Sequence, residues 1–251
     1  MRPPLPAGAA AAAAPGATVR PLPDSAPRSS PALPASSERR LLTILLLLTA
    51  ASGVIDAVAF LGLGQVFVAN QTGNVMLLAI SLPAGAGTTS VAGSIVSICA
   101  FVAGAVAGGR LAPGRILPSG VPDGAVRALL IESAFLLAAL GLWLAAHDRA
   151  GVRLAITALL GVGLGIQAAT ARRVARTGIS TVVLTSAIVG LAVDSPGASG
   201  RPDWWRHALP VGVMAAGGVV GAALAASHAA AVALGIALGV SAACAAMAAR
   251  P

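Results

Sequence analysis

From Leu41 onward the chain alternates between long apolar runs and short polar breaks. Six runs reach the length of about 20 residues that a lipid crossing needs: 41–63, 90–109, 127–147, 152–171, 208–226 and 229–249. Two further runs, 67–82 and 179–193, are shorter and carry Thr, Ser, Asn or Gly near their starts. A run below about 17 residues reads as a re-entrant or broken helix. The pattern predicts an all-α integral membrane protein, a helical bundle of six full spans plus two short re-entrant or broken helices. The membrane domain covers 41–249, with halves of about 41–147 and 152–249.

Residues 1–40 read differently. Nine of the seventeen prolines and the alanine run Ala9–Ala14 fall before residue 39, a composition that cannot bury enough apolar surface to order itself. A disordered Pro/Ala-rich cytoplasmic tail is expected. The rival is a signal peptide with Arg39 and Arg40 ahead of Leu41–Ala51; the run continues to Leu63, too long for such a segment.

Arginine placement bears on topology, because all sixteen basic residues are Arg. If all eight stretches crossed, Arg110, Arg115, Arg127, Arg172, Arg173 and Arg176 would lie outside, against the bias that keeps positive loops in the cytoplasm. If the two short stretches return to their own side, fourteen Arg lie inside and only Arg149 and Arg153 outside. The second arrangement is the one predicted, in the plasma membrane of a bacterium with the N-terminus cytoplasmic.

Composition narrows the function classes. The chain is 57% hydrophobic and 10% charged, where a soluble domain carries about 25% charge. Aromatics are 3% with no Tyr, so base-stacking platforms are missing and no nucleic-acid partner is expected despite the charge of +8. Cys99 and Cys244 are far apart, and His147, His207 and His228 stand isolated at helix ends. Neither set has metal-ligand spacing, and no cofactor is expected. The motifs of P-loops, nucleophile elbows and zinc proteases do not occur, and no enzyme is expected. The bilayer itself is the one sure partner. Small-residue motifs such as Gly104/Gly108, Gly161/Gly165, Gly217/Gly221 and Gly235/Gly239 suit close helix packing, either within the chain or in a homo-oligomer.

An internal repeat is visible. Thr72 matches Thr185, and Gly104 and Gly108 match Gly217 and Gly221, all at an offset of 113; Asp56 matches Gln167 at 111. Three full spans per half is an odd number, so the halves would be inverted, as in many secondary transporters. Chance alignment of Ala/Gly/Leu-rich helices is the alternative account.

The first half contains Gly53-Val-Ile-Asp56-Ala57 and then Phe67-Val-Ala-Asn70-Gln71-Thr72-Gly73-Asn74; the second contains Gly165-Ile-Gln167-Ala-Ala-Thr170, then Thr181 and Thr185. This combination resembles the YoaK-like family of bacterial multi-pass membrane proteins, known as domain of unknown function 1275. The resemblance covers about 41–249 and departs at Ala168, where the family favours Asn, and at Ser186, where Gly would follow Thr. It implies an integral membrane protein and no particular activity.

Asp56, Asn70, Gln71, Thr72, Asn74, Gln167, Thr170 and Thr185 are the candidate site residues. An acid inside a span costs about 2.5–3.5 kcal/mol on insertion scales, so Asp56 is expected to be paired, protonated or at a watery cavity. Two readings stand. Asp56 relays a proton or contacts a small solute of unknown identity, in a secondary transporter or permease. Or its carboxylate accepts hydrogen bonds that hold a broken helix together, in a non-transporting scaffold or partner subunit. The amides and hydroxyls at 70–74 suit helix capping as well as ligand contact, and Thr170 can bond back to its own helix. Glu132 reads as snorkelling to the interface or pairing with an Arg.

Overall fold

The computed structural model describes residues 35–84, 91–117, 121–175, 189, 192–193 and 205–250. The helices are α1 (Ala35–Gly62), α2 (Gln71–Ala84), α3 (Val91–Leu111), α4 (Asp123–Ala146), α5 (Ala150–Ala175), α6 (Trp205–Ala226) and α7 (Ala230–Ala249). All but α2 are long and apolar enough to cross a membrane. The 14 residues of α2 span about 21 Å at 1.5 Å each, short of a hydrocarbon core of about 30 Å. The second short stretch, 179–193, lies outside the described residues except for 189, 192 and 193.

The helices outrun the apolar runs at their polar ends. α1 begins at Ala35, with Glu38 in its first turn, so the expected tail gives up its last residues to a helix. α4 begins at Asp123, which pairs with Arg127 one turn on at 3.7 Å. Hydropathy marks the lipid edge, and a backbone already in register continues past it wherever first-turn acids meet the helix dipole.

Large apolar side chains such as Met76, Leu82, Leu144 and Val219 face outward, as a lipid solvent permits and water does not. Inside, one cluster joins α1, α4, α5 and α7 through Ile55, Val58, Leu136, Leu160 and Leu234. A second, at one end of the bundle, joins the starts of α1 and α4 to the ends of α5 and α7 through Leu41, Ile44, Leu129, Val174 and Ala248. There Arg40 donates to the Arg250 carbonyl at 2.8 Å. At the opposite end, Leu61, Gly62, Trp143, His147, Ala225 and His228 line a single cavity. The ends of α1, α4 and α6 therefore meet, and His147 and His228 are neighbours of one space instead of isolated groups.

Helix direction follows. α1, α4 and α6 run one way, α5 and α7 the other. The first span of each half points oppositely, so the repeat is inverted. Arg39, Arg40, Arg110, Arg115, Arg127, Arg172, Arg173 and Arg250 belong to one end, and Arg149 and Arg153 to the other.

The repeat is legible atom by atom. A Cβ on Gly104 would strike the backbone of Val162, and one on Gly108 that of Ile166. In the other half, Gly217 lies against the backbone of Ala50 and Gly221 against Val54. Reciprocally, Gly165 meets Phe101 and Ala105, as Gly53 meets Met214 and Gly218. Matching positions are 113 apart along α3 and α6, and 112 apart along α1 and α5. Each half thus lends its first span to the second span of the other. Gly235 and Gly239 have nothing within 4 Å, so that motif packs on no other part of the described chain.

Candidate functional site

The site begins where α1 stops. Gly64 and Gln65 take positive φ, 94° and 59°, and the chain reverses on itself. Such geometry is free for Gly and costly for Gln. The returning segment tucks Val66 and Val68 fully into the core and stacks Phe67 on Phe60 with centroids 5.0 Å apart. That apolar burial drags backbone N–H groups out of water, and each must find an acceptor.

Asp56 supplies it. Its Oδ1 accepts from the N–H groups of Val68 and Ala69, both at 2.7 Å, and its Oδ2 from that of Asn70 at 3.0 Å. Three successive N–H groups leading into the N-terminus of α2 form a ready anion cradle. The anion is the protein's own carboxylate.

Asn74 locks the other side. Fully buried, it accepts from the Phe67 N–H at 2.9 Å and donates to the Phe67 carbonyl at 2.7 Å, as a strand neighbour would. Its amide also donates to Gln71 Oε1 at 2.8 Å and Ser97 Oγ at 3.1 Å. Gln71 donates to the Val68 carbonyl at 2.9 Å, and Ser97, from α3, donates to the Phe67 carbonyl at 2.7 Å. Gly73 is small by necessity, since a Cβ there would come within 2.8 Å of the Phe67 ring. Replacing Asn74 with Ala is expected to cost about 1–3 kcal/mol, the penalty of an unsatisfied buried N–H, read as a lower melting temperature in detergent.

The expected residues separate into two places. Asp56, Gln71 and Asn74 meet in one knot within the first half. Asn70 contributes its N–H to it and holds the Gly73 N–H at 3.4 Å, while its side chain, like that of Thr72, is exposed. Gln167 reaches α1 instead, donating to the Leu48 carbonyl at 3.0 Å and Ser52 Oγ at 3.2 Å, two turns and one turn before Asp56. Thr170 bonds back to the Ile166 carbonyl at 2.8 Å. Thr181 and Thr185 lie outside the described residues. The pairing of Asp56 with Gln167 is also one residue out of register. With α1 and α5 matched at 112, Asp56 corresponds to Ala168, and a single step turns a helix position by about 100°.

Ser97 and Ser52 were not among the candidates. Ser97 left a trace, as half of a Ser94/Ser97 pair one turn apart in an otherwise apolar span. Glu132 does not snorkel, and it pairs with no Arg among the described residues. It is 1% exposed and packs against α7, because it stands on the inward face of α4 with Ala125, Ala128, Leu136 and Ala139.

With the knot and the repeat described, likeness can be assessed. The family profile described as "Protein of unknown function (DUF1275)" matches residues 44–247, from within α1 to near the end of α7. The chain belongs to the DUF1275 family. A curated relative, the UPF0700 transmembrane protein YoaK of Bacillus subtilis (strain 168), is 32% identical over 166 residues, 65% of this chain and 70% of the relative. No solved structure matches. This DUF1275 protein is therefore a multi-pass membrane protein, and among the described residues six apolar helices are long enough to be its membrane spans.

Proposed function

We propose that this DUF1275 protein is a secondary transporter or permease for a small solute, moving it between the two inverted halves. The observation that supports this reading is the exchanged packing, with α3 on α5 and α6 on α1 through equivalent backbone contacts. Inverted repeats with interrupted helices are the build of alternating-access carriers, in which one bundle rocks against the other. The break between α1 and α2 is such an interruption. In this proposal Asp56 and Asn74 fix the break, and the solute is met by groups the knot leaves free.

The second reading, a scaffold or partner subunit, is favoured by the same knot. Both Asp56 oxygens are spoken for by backbone N–H groups, which is structural work in itself. Flux separates the two. Purified protein in liposomes is tested for uptake of radiolabelled amino acids, organic acids and sugars, against protein-free vesicles. The transport reading expects saturable uptake of one class; uptake no better than the blank across the panel favours the scaffold.

We further propose that the arginine-rich end faces the cytoplasm of a bacterial cell, as the positive-inside bias requires. Single cysteines at positions 115 and 149, in a protein with Cys99 and Cys244 replaced, check it. A membrane-impermeant maleimide should label position 149 in intact cells and position 115 only after permeabilisation. The opposite result reverses the orientation, and equal labelling of both in intact cells refutes the separation of the two ends.

A further inference from the structure

Glu132 lies about 14 Å along α4 from its start and about 8 Å past Arg127, where the apolar run begins. Of its carboxyl group, Oε2 has no hydrogen-bond partner, and Ser241 of α7 is the side chain that hydrogen-bonds it. Ser133, beside it, lies 3.4 Å from the same Ser241 hydroxyl while bonding the Leu129 carbonyl at 2.9 Å. One turn from Ser241, the fully buried Cys244 sits within electrostatic reach of Glu132, its thiol 3.8 Å from the Ile44 carbonyl of α1. On the α5 side, Gly163 faces the Glu132 Cγ.

No salt bridge to Glu132 occurs among the described residues. The Arg residues of the neighbouring helices stand at their ends. Arg153 and Arg172 are about 14 Å and more from the level of Gly163 on α5, Arg40 is occupied with the Arg250 carbonyl, and Arg127 with Asp123. From α7 only Cys244 is titratable; from α1, Glu38, Arg39 and Arg40 lie in the first two turns; from α3, Arg110 lies in the last. Asp56 differs in kind, since both its oxygens accept backbone N–H hydrogen bonds.

From this geometry we propose that Glu132, steadied by Ser241, is an exchangeable proton-binding site between α4 and α7 and the proton-coupling group of the carrier. Loaded, the carboxylic acid is neutral and tolerated in a dry setting that no cation among the described residues reaches. On release the O–H bond breaks, the proton passes to water, and the carboxylate left behind takes a hydrogen bond from the Ser241 hydroxyl. That exchange requires α4 and α7 to part far enough to admit water. Both belong to the inverted pair of final spans, which a rocking motion would separate.

This coupling role rests on the transport reading, whereas the proton site itself does not, so the experiment reads the proton without needing a solute. Infrared spectra of the protein in liposomes are recorded from acid to alkaline pH. The carbonyl stretch of a protonated carboxyl group should be present at neutral pH, fade at alkaline pH, and vanish in Glu132→Gln. In Ser241→Ala it should move to higher frequency, as a lost hydrogen bond demands; that variant decides the matter should Glu132→Gln fail to fold. Absence of a band sensitive to residue 132, a band unmoved by Ser241→Ala, or one that persists unchanged to alkaline pH overturns the proposal. Solute uptake without the band would refute the proton site and leave transport standing; the band without uptake would refute transport alone.

Discussion

Replacing Asp56 with Ala is expected to lower the stability of the folded protein by about 3 kcal/mol, one buried and two part-buried N–H groups each losing an acceptor at about 1–3 kcal/mol apiece. The Val68 N–H cannot turn to water, because Val66 and Val68 hold the segment in the core, and all three donors lie only 2.7–3.0 Å from the carboxylate they would lose. Asp56→Asn should fall between the two. Its amide keeps one acceptor oxygen for Val68 or Asn70 but turns an NH2 group toward a donor. Melting followed by Trp fluorescence in detergent, with yield from the membrane fraction, gives the order wild type, Asn, Ala. Equal melting temperatures for wild type and Asp56→Ala would show that the cradle does not hold the break.

The second large effect concerns the crossing points of the halves. Gly104→Val and Gly217→Val each drive a branched side chain into the backbone of a neighbouring helix, at Val162 and Ala50. Overpacking of this kind typically costs about 1–3 kcal/mol. Backbone cannot swing aside as a side chain can, so values at the upper end are expected at both positions. The repeat makes the two losses comparable. Gly235→Val is the internal control: with nothing within 4 Å, it should stay within about 0.5 kcal/mol, as surface substitutions do. A Gly217→Val protein as stable as the Gly235→Val protein would argue against the close approach of α6 to α1.

How far these features could be read from the chain differs by element. Six spans and the short α2 were legible because lipid imposes a length and an apolar composition that few other structures share. The helix ends at Ala35 and Asp123 were not, since hydropathy carries no signal for a helix that continues into the interface. The repeat was visible in Gly104, Gly108, Gly217 and Gly221, yet its register on α1 and α5 was not. Sequence gives no penalty for sliding one apolar residue past another, whereas close-packed backbones do. Asp56 stood out as an acid in lipid, but its partners are main-chain N–H groups, which every residue has and no letter marks. Glu132 was misjudged for a related reason. Its position along α4 was plain, and its facing was not, because α4 is apolar nearly all round and only packing shows which side is inward.

The criss-cross of first and second spans bears on how the protein is made. α1 emerges early, but the groove that receives Gly53 is built from Met214 and Gly218, some 160 residues later at the ribosome. The opening helix must wait in the bilayer, its glycine face touching only lipid, until almost the whole chain has been inserted. The α3–α5 crossing can close as soon as α5 is made, whereas that of α1 waits for α6, and a chain truncated before α6 would leave the Gly53 face of its first helix uncovered.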